Sequence, residues 1–316
     1  MVLLLVAAAD DFIQSAELKF KVQRKDAPVT GIASLGNDLF IIRWQQQQID
    51  VYDTENGATR SLPIPDLRSE QSCLAACGFY RCLYVTDDRN ECIHKASSIG
   101  KSESMKICRI PVRNETTTSN VMEGLVSTRS MVRCQICSMA VTKDHNLLVA
   151  CHKVHKLLEY TTDGVLVRQV NLNISNPVRV VQLPTGLYGV IHREDAETDC
   201  YSVVDINGKV TRRSLRFAKV RDTRYYRYMS IDDLVLNDLT VSRSGIVFIA
   251  ASDGNKILVP VLRKTGDAFE LQSLPESAYG GSLNQPFCVH FDDSKRRLYI
   301  GEGRGGRVLC CSAERK

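Results

Sequence analysis

Hydrophobic and polar positions along this chain fall into a phrase that returns six times: an apolar run, a polar turn and a second apolar run. Its plainest form is Leu83-Tyr84-Val85-Thr86-Asp87, a turn over 88–91, and Cys92-Ile93-His94-Lys95-Ala96. The last is Leu298-Tyr299-Ile300-Gly301-Glu302, a turn over 303–306, and Arg307-Val308-Leu309-Cys310. The other four open at Leu39, Leu147, Leu187 and Val247. These short runs are rich in β-branched and aromatic residues and are bounded by Gly, Asp and Asn, the composition of strands joined by hairpin turns.

Each phrase has an apolar patch ahead of it, such as Gly31-Ile32-Ala33 or Cys288-Val289-His290, and most have a glycine-closed turn behind it, at 53–57, 161–164, 205–208 and 264–266. Inner strand, hairpin, third strand and outer strand make a four-stranded unit. No such unit buries its apolar face alone, so neighbours must stack. Repeats of roughly 40–45 residues with four strands are the mark of a β-propeller. The expected fold is therefore all-β, a six-bladed β-propeller of four-stranded blades, with loops inserted around 97–133 and 212–236. The last phrase stops after its third strand, at Cys311-Ser312, while Glu17-Leu18-Lys19-Phe20-Lys21-Val22 alternates at period two. This predicts that 17–22 supplies the missing outer strand and closes the ring. Residues 1–16 are then an N-terminal extension and 17–316 a single domain. Closure also hides sheet edges that would otherwise invite association.

A chain of 316 residues with 44% apolar content can bury one sizeable core. Its net charge of +5 is too mild to demand a nucleic-acid partner, and no run is long enough to span a membrane. The apolar start at 2–9 looks like the core of a secretion signal, but no Lys or Arg precedes it. Of twelve cysteines, Cys73, Cys77, Cys92, Cys151, Cys288 and Cys310 fall in or beside predicted strands, as small buried hydrophobes of a reduced chain would. A cytoplasmic location is expected, with secretion not excluded.

The phrase Asp87-Asp88-Arg89-Asn90-Glu91-Cys92-Ile93 resembles the NHL-repeat consensus of an acid, two residues, Asn, one residue, Arg or Lys, and an aliphatic. Lys156-Leu157, Lys256-Ile257 and Arg307-Val308 keep its basic-aliphatic end, whereas Gln48-Ile49 and Cys92-Ile93 keep only the aliphatic residue. The opening acid stands at Asp87 and Glu302 and is replaced by Arg43, Cys151, Ile191 and Ala251 in the other copies. The resemblance runs from Thr30 to Ser312 and implies a six-bladed propeller like that at the C-terminus of tripartite-motif proteins. In those proteins RING, B-box and coiled-coil segments supply ubiquitin-ligase activity. No array of Cys/His pairs and no heptad stretch precedes the repeats here, so ligase chemistry is not expected in this chain. The implied role is recognition of a protein substrate or of RNA within such a system.

The connection over 209–227 contains Arg212, Arg213, Arg216, Lys219, Arg221, Arg224 and Arg227 interleaved with Phe217, Tyr225 and Tyr226. Cations neutralise phosphates and aromatic rings stack on bases, so this composition suits single-stranded RNA. In a propeller it shares a face with the turns between second and third strands, which carry Arg89, Lys153, Lys156, Arg193, Lys256, Arg304 and Arg307. Arg43 and the sole tryptophan, Trp44, join them at a turn of the first blade, a pairing that suits a binding hot spot. A solvated surface is the plainer reading of the same charges.

Catalytic constellations are weaker. Cys134-x-x-Cys137 and His152-x-x-His155 have zinc-site residue types, but the histidine spacing is one short and a closed ring needs no structural zinc. Asp87, Asp238, Asn284 and Glu302 are too sparse for a cation-dependent hydrolase. His192, His290 and the serines are not placed as a triad by anything in the spacing. The glycines of 301–306 lie between strands and not ahead of a helix, so they do not make a phosphate loop. The expectation is a monomeric recognition module without catalysis, cofactor or metal, binding protein partners on its loop face. Single-stranded RNA binding is the alternative, and a channel-mouth metal-dependent hydrolase the third reading.

Overall fold

The computed structural model describes residues 16–22, 27–64, 67, 72–87, 89, 91–97, 106–112, 136–194, 198–214, 217–218, 235–262 and 268–313. Apart from two short 3₁₀ turns, His152–Val154 and Glu276–Tyr279, every regular element among them is a strand. The first, β1 (Ala16–Val22), is taken up below. Run 1 is β2 (Val29–Leu35), β3 (Asp38–Arg43), β4 (Gln48–Asp53) and β5 (Thr59–Pro63). Run 2 is β6 (Leu74–Cys77), β7 (Cys82–Asp87), β8 (Cys92–Ser97) and β9 (Lys106–Pro111). Run 3 is β10 (Ile136–Val141), β11 (Leu147–Cys151), β12 (Lys156–Tyr160) and β13 (Leu166–Asn171). Run 4 is β14 (Pro177–Gln182), β15 (Tyr188–Arg193), β16 (Thr198–Val204) and β17 (Val210–Ser214), with β18 (Phe217–Ala218) also pairing β16. Run 5 is β19 (Leu236–Val241), β20 (Val247–Ala251), β21 (Lys256–Leu262) and β22 (Ala268–Ser273). Run 6 is β23 (Pro286–Asp292), β24 (Arg297–Glu302) and β25 (Val308–Ala313), whose free edge pairs antiparallel with β1, Glu17 opposite Ser312 and Val22 opposite Val308.

Each run is an antiparallel meander, and runs 4 and 5 are further joined by a parallel pair between β17 and β22, Arg213 opposite Ala268 and Ser214 opposite Phe269. The second strands are buried on both faces: β7, β11 and β20 are buried throughout, and β3, β15 and β24 in all but one residue. This is why they read as continuous apolar runs rather than alternating ones. The fourth strand β5, by contrast, has no fully buried residue.

The runs close on themselves. Six apolar cores lie at successive interfaces: Phe40 and Ile49 with Leu83 between runs 1 and 2, Tyr84 and Ile93 with Val149 between 2 and 3, Leu148 with Tyr188 between 3 and 4, Ile191 with Ile249 between 4 and 5, Phe248 with Leu298 between 5 and 6, and Leu39 and Ile41 with Tyr299 between 6 and 1. The first strands follow the same cycle, each against the next and β23 back against β2. At that last junction a Cβ on Gly301 would stand 2.5 Å from Cys288 Sγ and 2.7 Å from Val29 Cγ1, so glycine is what lets run 6 close on run 1. The first strands surround a central channel, and five of them carry a register shift near the start, before Gly31, Ser138, Arg179, Asp238 and Cys288. Such a bulge re-aims the side chain that follows it.

No helix among the described residues is long and apolar enough to cross a membrane. Nine described cysteines are free, whereas Cys151 is disulfide-bonded, which departs from the expectation of a fully reduced chain.

Candidate functional site

Strands in a run alternate in direction, so turns between first and second strands open on one face of the ring and turns between second and third strands on the other. Those of the residues expected at the binding surface that are described belong to the second face, and three of them, Arg43, Arg193 and Arg307, are held by acids. Arg43 is 2% exposed; its Nε donates to Asp50 at 3.1 Å and its Nη1 to the carbonyls of Gly306 at 2.6 Å and Ala27 at 3.2 Å. That guanidinium fastens run 1 to run 6 and does not face solvent. Arg307 holds Glu302 in a two-pronged pair, with Nη2 donating at 2.7 Å, and Arg193 donates to Asp199 at 3.2 Å. Trp44, Lys156 and Lys256 are half-buried, while Arg89 and Arg304 are exposed. Of Lys153 only the backbone is described, in the turn that precedes β12. Arg221, Arg224, Tyr225, Tyr226 and Arg227, with Cys134 of the suggested zinc set, lie outside the described residues. The other members of that set do not converge: the Cys137 thiol donates to the carbonyls of Pro177 at 2.9 Å and Ala150 at 3.2 Å, His152 faces the same Pro177 carbonyl, and His155 Nδ1 accepts the Asn176 N–H.

Inside the channel a cavity of about 280 Å³ is lined by all six first strands. Polar side chains of the first strands reach across from run to run beside it. Arg179 pairs with Asp238 at 3.2 Å and donates from Nη1 to Cys137 O at 2.5 Å, linking runs 3, 4 and 5. Asp238 accepts the Val289 N–H at 3.0 Å and Thr240 the Phe291 N–H at 3.2 Å, linking 5 and 6. Burial raises the Asp238 carboxyl above its ordinary range against the pull of Arg179. Burial also lifts the Cys137 thiol to about 12 and the Cys288 thiol well above its usual value. Both stay protonated at neutral pH, and a protonated thiol is a poor nucleophile.

Where runs 6 and 1 meet, the Ser34 hydroxyl lies 2.8 Å from His290 Nε2 and 3.0 Å from Asp292 Oδ2, and the Ser34 N–H also donates to His290 Nε2 at 3.1 Å. Spacing in the sequence did not place a serine, a histidine and an aspartate together, yet the fold does. The order of contacts is not that of a proton relay, in which the carboxylate orients the imidazole. Here the carboxylate binds the hydroxyl, and its Oδ1 caps a turn by accepting from Ser294 and Lys295. The cluster is a staple across the closing junction.

At the first-turn face the channel widens into a vestibule of about 760 Å³. Its rim carries Phe79, 68% exposed, and Tyr80, 48% exposed, both on the turn between β6 and β7. Phe79 stacks on His145 of run 3 with ring centres 4.4 Å apart, and Tyr80 meets Phe79 edge-on at 4.8 Å. Exposed Lys143 and Arg243 line the same basin, with Asp293 accepting the Arg243 N–H at 2.7 Å. Sequence reading passed over this cluster. Its signal was adjacent aromatics, Phe79 and Tyr80, in a turn whose neighbours in other runs are polar.

No family model matches the chain, and no curated protein matches it. Solved structures do. A catalytically inactive virginiamycin B lyase from Staphylococcus aureus with quinupristin is 10% identical, with a TM-score of 0.57 over 94% of this chain and 99% of the lyase. The PQQ-bound aldose sugar dehydrogenase of Streptomyces coelicolor is 14% identical, with a TM-score of 0.63 over 95% and 98%. The Cps50 (Swd1) β-propeller domain of Myceliophteria thermophila is 10% identical, with a TM-score of 0.58 over 95% and 100%. The chain has a β-propeller fold. At such identities the likeness extends to the fold alone, since lyase, dehydrogenase and Swd1 share it.

Proposed function

We propose that the six runs are the blades of a six-bladed propeller of the NHL kind, closed by β1, which recognises an extended protein segment without chemistry of its own. The observation behind this reading is the Phe79–Tyr80–His145 cluster on the rim of the 760 Å³ vestibule. Large aromatic side chains left in water contribute little to the fold, and aromatic residues beside a pocket are the usual centre of a protein interface. Lys143 and Arg243 favour a segment whose apolar side chain is flanked by a carboxylate. The binding face is then the first-turn face, opposite the one the sequence pointed to. As in the tripartite-motif proteins, such a module would select the substrate of a ligase activity.

RNA is the weaker reading on the described surface. Arg43 is buried, and Arg193 and Arg307 are held by acids, which leaves fewer cations to meet phosphates. Randomised peptides displayed on phage, selected on the full chain and on Phe79→Ala/Tyr80→Ala, test the proposal, with a randomised single-stranded RNA pool as the parallel arm. Peptides enriched on the parent and lost on the double variant support it. RNA retention weakened by salt and by Arg221→Ala/Arg224→Ala/Arg227→Ala, with no peptide enrichment, overturns it in favour of RNA.

A further inference from the structure

The hairpin between β7 and β8 places three metal-binding side chains on one face. Asp87 is directly opposite Cys92 across the pair, and His94 follows Cys92 by two residues, so all three side chains point the same way. Their donor atoms lie within 4.8 Å of one another; His94 Nε2 is 3.3 Å from Asp87 Oδ2 and 3.9 Å from Cys92 Sγ. All three residues are buried, at 0%, 5% and 1% exposure for Asp87, Cys92 and His94. Val85, on the same face, belongs to the core between runs 1 and 2, so the trio lies at that junction.

We propose that Asp87, Cys92 and His94 form a binding site for a zinc ion at the junction of runs 1 and 2. Zinc takes carboxylate and imidazole donors at about 2.0–2.1 Å and thiolate at about 2.3 Å in a tetrahedron, which sets donor atoms about 3.3–3.7 Å apart. The trio is already near that spacing. The charges also close: an ionised Asp87 and a Cys92 thiolate balance the dication, with His94 binding as neutral imidazole through Nε2. Binding releases the Cys92 thiol proton to solvent, and a water completes the tetrahedron. A soft thiolate and an imidazole together select zinc over calcium or magnesium, which take oxygen donors.

The other runs sharpen the case. At the same end of their second and third strands, acids are held by guanidinium groups: Asp50 by Arg43, Asp199 by Arg193 and Glu302 by Arg307. An arginine offers no lone pair to a metal, whereas run 2 sets a thiol and an imidazole against its acid. The ion would tie β7 to β8 across their turn, as the guanidinium groups of runs 1, 4 and 6 tie theirs. The site is independent of the vestibule on the opposite face.

Metal content of the full chain, purified without chelator and dialysed, tests the site. Zinc is expected in stoichiometric amount. Cobalt in its place should give an intense thiolate-to-cobalt band in the near ultraviolet. Cys92→Ser and His94→Gln should weaken zinc retention by more than about 100-fold, beyond what loss of an outer partner costs. Cys137→Ser, a thiol at the junction of runs 3 and 4, should leave retention unchanged. Should the variants not fold, X-ray absorption at the zinc edge of the parent decides: a shell mixing sulfur with nitrogen and oxygen supports the site. Absence of zinc, an all-sulfur shell, or retention unchanged in a folded Cys92→Ser protein overturns it.

Discussion

The channel wall and the vestibule beside it are built from the same first strands and the turns that follow them, yet they use their side chains in opposite ways. In the wall, Arg179, Asp238, Thr240, Ser34, His290 and Asp292 each bind a group on another run. First strands of neighbouring runs share no ladder, so side chains must do there what main-chain bonds do within a run. At the vestibule, Phe79 and Tyr80 are left in water although burial would have favoured them. Polar groups converging in the centre of a ring therefore report closure, and apolar groups left outside report binding. The wall should govern stability and the vestibule recognition, each without the other.

The largest effect is expected at Arg179. Arg179→Leu leaves the half-buried Asp238 without its cation and Cys137 O with only the Cys73 thiol at 3.5 Å as donor, and breaking a buried pair from one side costs up to about 3–5 kcal/mol. Urea unfolding should show that loss, while peptides selected on the parent still bind the variant under native conditions. A loss below about 1 kcal/mol would mean that the belt is incidental to closure.

Acid should act on the same wall and on β15 of run 4. Burial lowers the His290 imidazole to about 4, although Asp292 pulls it upward, and burial with Arg213 nearby lowers His192 to about 4 as well. In the unfolded chain both return toward the ordinary 6.5. Between those values the unfolded chain binds more protons than the folded one. Stability is then complete above the upper value and falls as pH drops through the window. At about 1.4 kcal/mol per unit, each histidine contributes at most about 3 kcal/mol. Urea midpoints between neutral pH and the lower end of the window should fall steeply for the parent and less for His290→Gln. Equal slopes would remove His290 from the staple.

Much of this fold was legible because apolar phrases repeat and burial repeats with them. The continuous run Leu83-Tyr84-Val85 became a strand buried on both faces, and the alternation of Glu17 to Val22 became β1 on the edge of β25. The sites were less legible, because a side chain's partner depends on register and bulges that composition does not encode. Arg43 looked like a surface cation beside Trp44, but Asp50 sits near it across the β3–β4 hairpin and Gly306 reaches it from run 6. Ser34 and His290 are far apart in the chain and meet only because run 6 returns to run 1. Asp87, Cys92 and His94 stood in plain view within the clearest repeat, and only the pairing of Asp87 with Cys92 brings them to one face.

The smallest stability effect is expected at the vestibule, where it is also the most telling. Phe79→Ala/Tyr80→Ala removes two side chains that are largely in water, so the urea midpoint should move by no more than about 0.5 kcal/mol of stability. Affinity for a selected peptide should nevertheless fall by more than about tenfold, because aromatic anchors carry a large share of interface energy. The stack of Phe79 on His145 is what could upset this separation, since it ties the β6–β7 turn to run 3. His145→Ala alone isolates that tie. If it destabilises the ring as much as Arg179→Leu does, the cluster is a seventh seam of the fold and the aromatics are exposed for closure. If it leaves both midpoint and peptide affinity near the parent's, the stack only orients Phe79, and the division between a wall that holds the ring and a rim that reads a partner stands.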